Sequence, residues 1–79
     1  MTIAEANEPF ASGLRTLIVQ KGFKNLYLAQ KAGYTAQELS DMLHGRRLIE
    51  ACDIPRLAKA LNVREDEIYA AGKEGGAEW

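Results

Sequence analysis

The sequence predicts an all-α fold of five short helices, and three observations carry that prediction. Apolar residues recur at helical spacing, first as Phe10, Leu14, Leu17 and Ile18 and later as Ile54, Leu57, Ala58 and Leu61. Residues that open or close helices stand between these stripes: Gly22, Gly33, Thr35 with Glu38, Pro55 and Asn62. The chain has 79 residues, room for one small domain, and so short a chain buries little apolar surface unless its elements pack compactly.

Residues 1–7 are small and polar without a period, and are expected to be a flexible N-terminus, with the folded domain over residues 8–71. Asn7 can cap the first predicted helix, whose first turn tolerates Pro9 because backbone N–H groups there have no intrahelical partner. Lys21 suits the negative end of that helix and Gly22 terminates it. Side-chain chemistry favours Asn25 as the cap of the second helix, and the boundary stays open by one residue toward Lys24.

Leu28, Ala29 and Ala32 place small and apolar side chains on one side of the second helix. Gly33 follows where the chain must reverse, since glycine takes the left-handed conformation without steric cost. Tyr34 closes the corner as an apolar plug. Thr35 offers its hydroxyl to the free N–H groups of the third helix, and Glu38 completes a T-x-x-E capping box, so this helix begins at Ala36 and spans 36–44. Anchored through Leu39, Met42 and Leu43, it turns Ala36, Gln37, Ser40, Asp41 and His44 outward. That outward face is short, polar and free of bulky aliphatics.

Asp53 can cap a fourth helix with Pro55 in its first turn, which makes Cys52 a small packing residue. Asparagine tolerates the left-handed cap conformation required of Asn62. Glu65, Asp66 and Glu67 place negative charge at the start of a fifth helix, where its dipole favours it, and Ile68 and Tyr69 should point inward. Gly72, Gly75 and Gly76 mark a flexible tail over residues 72–79 that ends in Trp79.

Hydrophobic residues make up 47% of the chain, enough for one core, and charged residues 27%, which argues against disorder. A lone Cys52 and a lone His44 supply neither a disulfide nor a metal-ligand set, so no metal and no cofactor is expected. No nucleophile–base pair with an orienting partner and no glycine-rich phosphate loop is evident, which speaks against an enzyme. No apolar run approaches the ~20 residues that cross a bilayer, and no signal-peptide order opens the chain, so a cytoplasmic protein is expected. The net charge of −1 is unevenly spread. Residues 15–47 hold six basic residues against Glu38 and Asp41, whereas residues 48–79 hold seven acidic against four basic.

Four pieces of this chain, LAQKAGYT, the apolar Leu39 and Met42, the GRR run from Gly45 to Arg47, and IPRLAKALNV from Ile54 to Val63, stand in register. They resemble the lambda-type phage repressor and Cro family, the XRE family of helix-turn-helix regulators, over roughly Leu14 to Ala71. Small Ala29 agrees, since it lets two helices cross at the steep angle of such a unit. The resemblance implies a compact lambda-repressor-like domain with its helix-turn-helix at the second and third predicted helices, which lays the third helix into the major groove of double-stranded DNA. Ala36, Gln37, Ser40 and Asp41 are then the expected base contacts: Gln37 pairs bidentately with adenine, Ala36 meets a thymine methyl, and Asp41 accepts from cytosine N4. Lys24, Asn25, Thr35, His44, Arg46 and Arg47 are the expected backbone contacts. Glu38 and Asp41 oppose this role, because phosphates repel carboxylates; capping occupies Glu38, while Asp41 either reads cytosine or lowers affinity.

Many family members tie their first helix to the end of the recognition helix with a buried Arg–Glu ion pair, at positions that correspond here to Ile18 and Leu43. An apolar pair can replace such a bridge with little loss of stability. So few phosphate contacts per subunit call for a homodimer on a palindromic operator, formed in solution or only on DNA, through the exposed edges of the last two helices with or without Trp79. The expected activity is that of a small bacterial or phage-derived repressor. The alternative is a protein-binding module of the same fold, antitoxin-like or antirepressor, which uses the acidic C-terminal half.

Overall fold

A computed structural model describes residues 1–74 of the chain. It holds six helices rather than five: α1 (Ile3–Asn7), α2 (Phe10–Lys21), α3 (Asn25–Ala32), α4 (Ala36–Leu43), α5 (Asp53–Leu61) and α6 (Glu65–Lys73). The helix added to the expected set is α1, within the stretch expected to lack regular structure. Its start has a local cause. The Glu5 N–H donates to Thr2 Oγ1 at 3.1 Å while the Thr2 N–H donates to Glu5 Oε1 at 2.9 Å, a full capping box. The tail residues 75–79, Trp79 among them, lie outside the described residues.

The longer helices start and stop largely where local chemistry directs. Gly22 and Gly33 take left-handed conformations at φ 71° and 86°, and Asn62 does so at φ 60°. α3 is capped at Lys24, which settles its register, although no side chain caps it. α6 runs to Lys73, two residues beyond the expected end of the domain.

Two expected caps are corrected. Pro9, not Asn7, precedes α2, and Asn7 is buried. Cys52 precedes α5 and is exposed rather than packed, whereas Asp53 turns inward. Its Oδ2 accepts the Glu50 N–H at 2.9 Å and its Oδ1 accepts the Tyr34 hydroxyl at 2.5 Å. Tyr34 therefore plugs the α3–α4 corner as expected and also bolts it to α5.

Leu14, Ile18, Leu28, Leu39, Met42, Leu43, Leu57, Leu61 and Ile68 are fully buried in one core shared by the five longer helices. Each such side chain contributes about 1.5–3 kcal/mol relative to exposure. The most extensive helix pairing is α2 on α6. There Gly13 and Gly72 let the two backbones meet, and Phe10 tilts against Tyr69 at 5.2 Å between ring centroids. This packing supports α4 from behind and leaves its other side to solvent.

Candidate nucleic-acid interface

α4 follows α3 after a tight turn, and its position is set by burial. Leu39, Met42 and Leu43 have no exposed surface, so the opposite side must face outward. Ala36, Gln37 and His44 are exposed, and Ser40 and Asp41 are partly exposed. All five expected outward residues therefore share one face of α4.

Thr35 opens this helix as expected. Its Oγ1 accepts the Glu38 N–H at 3.0 Å, and the Thr35 N–H donates to Glu38 Oε1 at 2.8 Å. The second oxygen of Glu38 accepts Arg47 Nη1 at 2.9 Å. These contacts, the Thr35 N–H foremost and Arg47 after it, hold the Glu38 carboxyl below the usual carboxylate range. One carboxylate thus serves a helix cap and an arginine together.

Asp41 sits in a second cluster. Its Oδ1 accepts Arg46 Nε at 2.8 Å and Gln37 Nε2 at 2.9 Å, while Arg46 Nη2 donates to Ser40 Oγ at 3.3 Å. Arg46 first, and Gln37 second, hold the Asp41 carboxyl below its ordinary value. The two arginines after the helix are thereby drawn back onto its two acidic side chains. Gln37, expected to pair bidentately with adenine, has its amide nitrogen engaged by Asp41. His44 Nδ1 lies 2.8 Å from the Ser40 carbonyl oxygen, which can only accept, so Nδ1 carries the proton.

Lys24 and Asn25 stand at another helix end. Lys24 precedes α3 and is exposed, and Asn25 is its first residue and partly exposed. The backbone N–H groups that open α3 make this end positive.

Two residues given no place at this face by the sequence support it from behind. Arg15 of α2 donates from Nη1 to the Leu43 carbonyl at 2.6 Å, and from Nη2 to Ser12 Oγ at 2.9 Å and Glu8 Oε2 at 3.3 Å. Burial pushes the Glu8 carboxyl up, but the bonds from Ser12 and Arg15 outweigh it and leave it lowered. An arginine thus does tie the first long helix to the end of α4. Arg15 stands about one turn before Ile18 and binds the Leu43 backbone carbonyl, while Ile18 and Leu43 are themselves buried in the core. Asn7, read from the sequence as a cap, donates to the carbonyls of Met42 and Arg47 and accepts the Ile49 N–H. No periodic signal marks either residue.

Fold and surface together define a class: a small helical domain that presents a short polar helix, flanked by cations, beyond a tight turn between two helices. The helix-turn-helix family model matches residues 14–68. The chain belongs to this XRE-type helix-turn-helix family of DNA-binding transcription regulators. Among solved structures, the fold is similar to the crystal structure of the clp gene regulator ClgR from C. glutamicum, with a TM-score of 0.80 and 19% identity over 87% of this chain and 90% of that one. No curated protein matches the chain. Among the described residues, no helix is long and apolar enough to cross a membrane.

Proposed function

We propose that this protein is a small repressor-type regulator that inserts α4 into the major groove of a palindromic operator. The observation that carries the reading is the outward face of α4, where Ala36, Gln37, Ser40 and Asp41 are small or polar and are backed by a fully buried Leu39–Met42–Leu43 side. Gln37 and Asp41 approach the bases as one bonded pair, whose oxygens accept from adenine N6 or cytosine N4. Lys24, Asn25 and Thr35 hold backbone phosphates at the helix openings, His44 does so at the end of α4, and Arg46 and Arg47 follow it.

Phosphate contact requires Arg46 and Arg47 to leave Asp41 and Glu38. Those exposed ion pairs are weak enough to exchange for phosphates, since pairs of this kind are individually worth little. Two subunits meeting on a two-fold site engage twice as many phosphates. α5 and α6 present no large exposed hydrophobic side chain among the described residues, so a dimer formed through them has a polar interface and assembles on the duplex.

The test is fluorescence anisotropy with duplexes recovered by selection from a random pool, measured across salt concentrations. Arg46→Ala with Arg47→Ala should lower the slope of log K against log salt by about 1.8, about 0.9 for each phosphate no longer neutralised. An unchanged slope in the double variant, or no duplex recovered by selection at low salt, overturns the reading. Retained DNA behaviour with loss of a stoichiometric protein partner would support the protein-binding module instead.

A further inference from the structure

We propose that the N-terminal helix α1 acts, through Asn7, as the positioning element for the loop that carries Arg46 and Arg47. The inference rests on the DNA-binding reading above and assigns that site a part outside the family segment, which begins at residue 14. A helix leaves its last four carbonyls without intrahelical partners, so the end of α4 must be satisfied from elsewhere. The Ser40 carbonyl accepts the His44 N–H at 3.0 Å, and the Asp41 carbonyl accepts the N–H groups of Arg46 and Arg47 at 2.8 and 3.1 Å. The remaining two are served from the start of the chain. Asn7 Nδ2 donates to the Met42 carbonyl at 3.2 Å, and Arg15 takes that of Leu43.

Asn7 does more than close a helix. The same Nδ2 donates to the Arg47 carbonyl at 2.9 Å, and Oδ1 accepts the Ile49 N–H at 2.8 Å. One side chain, 2% exposed, thus fixes the backbone at the last turn of α4, at Arg47 and at Ile49. Both amide hydrogens and the carbonyl oxygen are used, a pattern that no apolar or hydroxyl side chain reproduces. α1 is also pressed against the chain reversal between these points. A Cβ on Gly45, at φ 77°, would lie 2.6 Å from the Ala4 side chain and 2.8 Å from its Cα. Backbone that is ordered before DNA arrives loses less conformational entropy on binding and holds Arg46 and Arg47 where both can reach phosphates, so loss of the clamp costs phosphate contacts as well as affinity.

The experiment uses the full chain and a 30-base-pair random-sequence duplex as probe, with anisotropy read across low salt concentrations. Asn7→Ala should weaken binding about tenfold, equivalent to about 1.4 kcal/mol, and reduce the salt slope by the equivalent of about one to two phosphates. Hydrogen exchange at the Ile49 amide should accelerate in the folded variant. A destabilised control remote from the loop, Ile68→Val, should leave slope and Ile49 exchange unchanged, which separates positioning from general loss of stability. Should Asn7→Ala not fold, Asn7→Asp serves: it keeps the acceptor for Ile49 but turns a carboxylate toward two carbonyls, and should give the same reduction in slope. Wild-type slope in the folded variant, while the Arg46, Arg47 double variant shows a reduced slope, overturns the inference alone. Wild-type slope in the double variant as well overturns the DNA-binding reading beneath it.

Discussion

Substituting Gly13 by alanine tests the packing that supports the site. A Cβ on Gly13 would stand 1.8 Å from the Ile68 carbonyl oxygen and 2.8 Å from its carbon; on Gly72 it would stand 1.9 Å from the Pro9 carbonyl oxygen. Both obstacles are backbone atoms, which cannot swing aside. Restoring ordinary contact requires α2 and α6 to part by roughly 1.5 Å, given carbon contacts near 3.5 Å, and so opens space around Leu14 and Ile68. Overpacking of this kind costs about 1–3 kcal/mol and occasionally more. Alanine returns about 1 kcal/mol of helix propensity, so the site's severe overlap leaves a net loss of about 2 kcal/mol. A 79-residue domain has about 4–12 kcal/mol in total, and the loss should lower Tm by about 8–16 °C. Urea denaturation followed by far-UV circular dichroism measures it. Gly33→Ala is the contrast: nothing lies within 4 Å of its Cβ, but φ is 86°, so it should lose about 1–2 kcal/mol from backbone strain alone. A Gly13→Ala protein as stable as wild type, or stabilised as propensity alone dictates, would refute the close-approach argument.

Three further outcomes follow from the site. Thr35→Ala removes half of the α4 capping box and should cost about 1 kcal/mol in denaturant melts. Tyr34 is pushed up to about 12 by burial first and the Asp53 carboxylate second, with Arg56 opposing. The unfolded phenol ionises near pH 10, so between there and about 12 the native state holds a proton the unfolded chain has lost. This contribution is complete below pH 10 and fades as pH rises through that window. Absorbance at 295 nm should show a late tyrosine that disappears in Tyr34→Phe. Asp41→Asn releases Arg46 and should raise affinity for random-sequence duplex by about 1.4- to five-fold, the range exposed ion pairs span. Arg46→Ala should then cost more than it does in wild type; strict additivity would mean that Asp41 acts by repulsion alone.

Much of this was legible in the residues, and the exceptions share a cause. The Leu39–Met42–Leu43 side of α4, its opening at Ala36 and the left-handed Gly33 and Asn62 all follow from signals within four residues of where they act. α1 illustrates the limit from the other side. Thr2 and Glu5 form the same capping box as Thr35 and Glu38, but without an apolar stripe behind it the signal did not distinguish a helix from a flexible end. Cys52 and Asp53 exchanged their expected places because Asp53 has a buried partner in Tyr34, which the chain brings from 19 positions away.

What the sequence by itself determined is therefore the set of long helices, the Thr35 cap of α4, the left-handed ends at Gly22, Gly33 and Asn62, the polar face of α4 and the excess of positive charge around it. Only the tertiary structure decided that Arg46 and Arg47 rest on Asp41 and Glu38, that Arg15 reaches the Leu43 carbonyl, and that Asn7 gathers Met42, Arg47 and Ile49. The physical reason is range. Helical periodicity is a repeated signal along the chain, whereas a buried asparagine that bonds partners 35 to 42 positions away is a single residue with no repeat to announce it. The two helices that meet at Gly13 and Gly72 had to be folded together before either glycine had a meaning.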